Sequence, residues 1–212
     1  MTATDYCRDP DEIYRRSFAA IRAEADLDGL PAEMKPIAIR LIHACGMTDL
    51  VDDLAWSERA VAAGRAALQA GAPILCDTRM VAEGIIRSRL PAECPILCTL
   101  GDDGVEARAK ALGTTRSAAS VDLWDDALSG SVVAIGNAPT ALFRLLERIA
   151  EGAPRPALIV AMPVGFIGAA EAKAAIAGSD LGLAFLTVKG RRGGSALAAA
   201  AVNALAGPDP SP

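Results

Sequence analysis

Apolar residues in the first third of the chain recur with a helical period. Met34, Ile37, Ala38, Leu41, Ile42 and Cys45 fall at i, i+3, i+4, i+7, i+8 and i+11, which predicts a helix with one core-seeking stripe. Leu30-Pro31 opens that helix, and Gly46 reads as the residue just past its end. Stepping about 100° per residue from Met34 puts the stripe near ~10°, His43 near ~180° and Arg40 near ~240°. His43 is therefore expected to face away from the core in the last turn, with Arg40 one turn before it on a neighbouring part of the same face. A helix from about Glu12 to Ala25 precedes it, opened by Asp9-Pro10-Asp11. In that helix Ile13, Ser17 and Ile21 share a face, and Ser17 interrupts it. Its hydroxyl either bonds back to a carbonyl of the preceding turn or is presented to a ligand. Residues 48–56 show no clear period, whereas Ser57 and Glu58 read as the cap of a helix that ends at Gly71.

From Ile74 onward the rhythm changes. Short apolar runs at 74–77, 96–100, 132–135, 158–161 and 184–188 alternate with helix-length segments, mostly ended by glycine. Such alternation predicts an α/β fold of three layers, a mostly parallel sheet of about five or six strands with helices on both faces. One domain is expected over residues 1–206, including an N-terminal helical segment at about 9–70, with residues 207–212 as a disordered Pro-rich tail.

In sheets of this kind ligands sit beyond the carboxyl ends of the strands. The last three strands run into Gly136-Asn137-Ala-Pro-Thr140, Met162-Pro-Val-Gly-Phe-Ile-Gly168 and Lys189-Gly-Arg-Arg-Gly-Gly194-Ser195. Glycine lets a ligand approach the backbone, and helix N-termini offer N–H groups to anions, so Gly136, Asn137, Lys189 and Gly194 are candidate binding residues. Routine chain reversal explains any one of these loops equally well. None matches a dinucleotide or nucleoside triphosphate fingerprint. Arg116 follows Gly113-Thr-Thr and falls in the first turn of a helix, where its charge opposes the helix dipole. Either an anionic ligand or the nearby Asp122 and Asp125 would satisfy it.

A formal net charge of -5 and the lack of a basic run interleaved with aromatics argue against a nucleic-acid surface. Seventeen of the 21 basic residues are arginine, a bias that suits a polycarboxylate ligand or simply reflects coding composition. Five cysteines without Cys-x-x-Cys spacing, and a single histidine, provide no metal-ligand set, so no metal is expected. No apolar run is long enough for a membrane span, and the start lacks the pattern of a signal peptide, so a cytoplasmic protein is expected.

His43 is the only imidazole, and acid or base chemistry near neutral pH starts there. A last-turn position favours imidazolium through the helix dipole, which suits a proton donor. A solvated or merely capping histidine would occupy the same position.

Ile13-Tyr-Arg-Arg-Ser17-Phe, Arg40-Leu-Ile-His43-Ala-Cys-Gly46, Gly71-Ala-Pro-Ile-Leu-Cys-Asp77, Thr115-Arg-Ser-Ala-Ala119, Gly136-Asn-Ala-Pro-Thr-Ala-Leu-Phe143, Met162-Pro-Val-Gly-Phe166 and Gly193-Gly-Ser195 lie collinear in the chain. Together they resemble the precorrin-8X methylmutases of cobalamin biosynthesis, from about residue 5 to 206. The resemblance implies an isomerase that moves the C-11 methyl group of precorrin-8X to C-12, giving hydrogenobyrinic acid. It also implies His43 as proton donor and acceptor, Ser17 and Arg40 in the substrate site, a homodimer with the site near the subunit interface, and no redox cofactor. The partner would be a tetrapyrrole polycarboxylate, handed afterwards to the next enzyme of the pathway. A corrin carrier without turnover, a mutase of the cobalt-containing ring, and a nucleotide-binding α/β protein are the alternatives left open.

Overall fold

A computed structural model describes residues 6–207. Its centre is a six-stranded sheet in the order β1-β6-β5-β4-β2-β3, built from β1 (Leu54–Trp56), β2 (Ile74–Cys76), β3 (Ile96–Leu97), β4 (Val132–Ile135), β5 (Leu158–Ala161) and β6 (Phe185–Val188). The five expected runs all form strands, pairing in parallel. β1, in the stretch without a readable period, adds antiparallel to β6 with Leu54 opposite Val188. The expected α/β sheet is therefore present, with one reversed edge strand.

Strand alternation sorts the core into two apolar layers, as a period of two requires. Ile74, Cys76, Val132, Ala134, Leu158 and Val160 face one layer, and Leu75, Val133, Ile135, Ile159 and Ala161 face the other. The first layer is closed by α2 (Lys35–Cys45), α3 (Ala60–Gln69) and α10 (Ser195–Ala206). The second is closed mainly by α8 (Pro139–Ala150) and α9 (Ala169–Ala177). α10 is apolar on nearly every side and almost wholly buried, as expected of a helix surrounded by others. Its alanines allow close approach, and α4 (Arg79–Gly84) comes so near that a β-carbon on Gly84 would lie 2.7 Å from that of Ala199.

α1 (Pro10–Glu24) begins as expected, with Asp9 accepting from the N–H groups of Asp11 and Glu12. α2 starts at Lys35, one turn later than Leu30-Pro31 suggested, and Gly46 ends it in the left-handed conformation (φ 71°). Ser57 does not cap α3: its hydroxyl accepts the N–H of Phe185 at 3.0 Å and so serves the β1–β6 edge. Of the expected tail, residues 207–212, only Gly207 falls among the described residues.

Candidate active site

α1 crosses α2 so that aromatic rings meet the exposed face of the second helix. The buried face of α1 is Tyr14, Phe18 and Ile21, rotated by one residue from the Ile13–Ser17–Ile21 face, and Ile13 is 45% exposed. Tyrosine can take an inner position because its hydroxyl finds a partner: Arg40 Nη2 donates to Tyr14 Oη at 2.7 Å. Arg40 itself is only 7% exposed.

His43 emerges on the outer face of α2, as the stripe required. Its ring lies 4.8 Å from that of Phe18 and 5.7 Å from that of Tyr14, centroid to centroid. Neither ring nitrogen has a hydrogen-bond partner among the described residues. The expected dipole-stabilised imidazolium is corrected: partial burial first, and then the charge of Arg40, hold its pKa below the ordinary value. Both causes favour the neutral ring in the free enzyme. Ser17, half-buried beside Phe18, makes no hydrogen bond among the described residues, so the carbonyl back-bond is not formed.

Tyr14, Phe18 and Arg40 line a groove of about 730 Å³, completed by the start of α1 with Asp9, Asp11, Glu12 and Arg15, by Arg22 in its last turn, and by Ile86 and Arg89 from the turn after α4. His43 borders this groove through the rings of Phe18 and Tyr14. Apolar rings and guanidiniums in one open trough suit a flat apolar molecule fringed with carboxylates.

The glycine loops at the carboxyl ends of the strands are built differently from the expectation. Asp77, fully buried just after β2, accepts the N–H groups of Gly136, Asn137 and Ala138 at 2.8 to 2.9 Å. Burial pushes its carboxyl up, and these amides pull against that shift. The N-terminus of α8 thus already holds an anion, so Gly136 and Asn137 cannot offer free N–H groups there. Asn137 nonetheless leaves its side chain exposed. Gly194 N–H is likewise taken, by Met162 O at 2.8 Å, and Lys189 N–H by Asp53 O at 2.7 Å, although the Lys189 side chain is exposed. Buried Lys173 donates to Arg192 O at 2.6 Å, while Arg192 pairs with Asp49 and Asp53, both at 2.9 Å.

Arg116 stands in the first turn of α6 (Arg116–Val121), capped by Thr115, and lines a separate hollow with Lys110 and Glu106. The two aspartates that might have neutralised it are engaged elsewhere. Asp122 accepts from Arg144 at 2.7 Å and Asp125 from Arg148. Among the described residues Arg116 has no ion pair. Thr115 and Thr140 hydroxyls bond at 2.8 Å, which ties this turn to the start of α8. The structure therefore gathers Arg40 and His43 around Tyr14 and Phe18 of α1, the helix that also carries Ser17, and Arg116 with the Gly136–Thr140 loop in another place. Tyr14 and Arg89 were not given roles from sequence; only the distant contacts reveal them.

The family model for precorrin-8X methylmutase matches residues 12–207. The chain belongs to the precorrin-8X methylmutase family. It is an enzyme, an isomerase of cobalamin biosynthesis. A protein of Pseudomonas aeruginosa named precorrin-8X methylmutase is 62% identical over 202 residues, covering 95% of this chain and 97% of its own length. A cobalt-precorrin-8 methylmutase of Priestia megaterium is 36% identical, covering 92% and 87%. The crystal structure of a precorrin-8X methylmutase from Thermus thermophilus superposes with a TM-score of 0.84 at 40% identity, covering 92% of this chain and 94% of that one. Among the described residues no helix is long and apolar enough to cross a membrane.

Proposed function

We propose that this methylmutase moves the C-11 methyl group of metal-free precorrin-8X to C-12, yielding hydrogenobyrinic acid, with His43 donating a proton to the ring system and recovering it. The observation that carries the reading is the placement of the one imidazole, without a hydrogen bond among the described residues and resting on Phe18, beside a groove edged by Arg40. Protonating the conjugated chromophore promotes a suprafacial 1,5 shift because positive charge assists migration, so one positioned acid is sufficient.

Arg40 couples binding to that protonation. In the free enzyme its charge helps keep His43 neutral. A substrate carboxylate bound to the guanidinium cancels this repulsion and raises the imidazole pKa. The imidazolium is thereby favoured once the ring is in place. Ser17, on the same side of α1, supplies a hydroxyl to the substrate, while Arg116, Asn137 and Lys189 reach its outer carboxylates. Gly136 and Gly194 contribute by shaping their loops. The same reading includes a homodimer with the site near the interface, a cytoplasmic setting, and hand-over of the corrin to the next enzyme.

The P. aeruginosa relative is named for precorrin-8X and the less similar P. megaterium relative for cobalt-precorrin-8, which favours the metal-free ring. The test is the visible spectrum of the full chain mixed with precorrin-8X, beside a His43→Ala control. Conversion to the corrin spectrum by the native chain alone is expected. Equal conversion by both removes His43 from the reaction. Binding without conversion by either points to a carrier or to the cobalt-containing ring as substrate.

A further inference from the structure

The turn that follows α4 is held with more precision than its short length requires. Asn203 is a buried polar residue in the otherwise alanine-rich α10. Its Oδ1 accepts Ile86 N–H at 2.8 Å, and its Nδ2 donates to Gly84 O at 3.0 Å. One side chain thus satisfies the backbone on both sides of Ile85, fixing the segment that runs into the turn Arg87–Arg89. At the other end, Arg89 Nη2 donates to Gly207 O at 3.4 Å, so the C-terminal end of α10 holds this segment at two points.

Clamped in this way, Arg89 lines the same groove as Arg40, with Ile86 beside it. Two guanidiniums from separate elements face one cavity, and they are close enough for the charge of Arg89 to act on Arg40. The planar fork of arginine matches a carboxylate, and a rigid backbone reduces the entropy lost on binding.

We infer that Arg89 forms, with Arg40, a two-guanidinium subsite that grips a carboxylate-bearing side chain of the tetrapyrrole and sets the register of the ring against His43. Asn203 is the positioning residue that keeps Arg89 in the groove. This inference rests on the reading above and assigns a further binding residue to that site.

The test measures product affinity by visible titration with hydrogenobyrinic acid, and KM and kcat with precorrin-8X, for the native chain, Arg40→Gln and Arg89→Gln. Arg89→Gln is expected to weaken product binding and raise KM by about 10- to 100-fold, and to lower kcat by about 10-fold as the ring loses its register against His43. A corrin amidated on its peripheral carboxylates provides the control for mere structural damage. If Arg89 holds a carboxylate, native chain and variant bind this neutral ligand alike. Equal losses with both ligands, or unchanged affinity for the acid, overturn the subsite. When the native chain converts precorrin-8X and Arg40→Gln alone weakens binding, only this inference falls; when the native chain neither binds nor converts it, the proposed function falls as well.

Discussion

The Tyr14 hydroxyl accepts a hydrogen bond from Arg40 while the Tyr14 ring stands edge-on to His43, so one side chain of α1 touches both Arg40 and His43 of α2. Tyr14→Phe keeps the ring and removes only the acceptor. Arg40 then loses a fixed orientation but not its charge, and KM is expected to rise about 5- to 20-fold with kcat nearly unchanged. Steady-state kinetics on the variant check this; an unchanged KM would show that the groove alone orients Arg40.

His43 should report its surroundings in two pH profiles. As a proton donor it loses activity as pH rises through its pKa, and the inflection in kcat, which belongs to the bound complex, is expected above that in kcat/KM, which belongs to the free enzyme. The reverse order would contradict the coupling through Arg40. Folding gives an independent reading. Because the folded pKa lies below the ordinary 6.5, the unfolded chain binds more protons in that window, and stability falls as pH is lowered through it. His43→Gln should lose this part of the acid destabilisation in denaturant titrations at pH 5 and pH 7.

Asp77 tests whether the loop before α8 is an internal anion site. Asp77→Ala strands three amides, at a cost of about 1 to 3 kcal/mol for each one left buried without water. A loss of about 3 kcal/mol or more is expected in urea unfolding. A loss under about 1 kcal/mol would mean that water replaces the carboxylate without penalty.

Lys173 predicts a slope of the same sign as His43, in alkali. Burial lowers its ammonium from 10.5 to about 8, so across that window the unfolded chain binds more protons and stability rises with pH. The penalty is fully present below about pH 8. Lys173→Met should remove this rise, seen as a smaller gain in unfolding free energy between pH 8 and pH 10 than the native chain shows.

A β-carbon on Gly193 would lie 2.4 Å from Met162 O and 2.6 Å from Pro163 O, both backbone atoms that cannot turn aside. Gly193→Ala is expected to cost about 2 to 3 kcal/mol and to loosen the β6–α10 connection. Gly113→Ala probes a different case, because nothing lies near its β-carbon and only the left-handed backbone (φ 61°) resists; its cost should be about 1 kcal/mol. Thermal denaturation ranks the two.

The elements with a strong period were legible in the chain itself. The stripe from Met34 to Cys45 determined the direction of His43, because a helix of fixed pitch turns spacing into orientation. The runs at Ile74, Val132, Leu158 and Phe185 determined the parallel sheet, since a strand buried on both faces must be apolar throughout. Tertiary structure alone decided what those elements do to one another. Residues 54–56 are too few to show a period and became a strand only by pairing with β6. The inner face of α1 turned by one residue because Arg40, 26 positions away, provides a partner for the Tyr14 hydroxyl. Glycines that read as anion receptors were taken by Asp77 and Met162, and the aspartates near Arg116 by arginines of α8. Local pattern reaches only as far as one helix turn or one strand pair, whereas hydrogen bonds and charges are satisfied by whichever group the fold brings within about 3 Å.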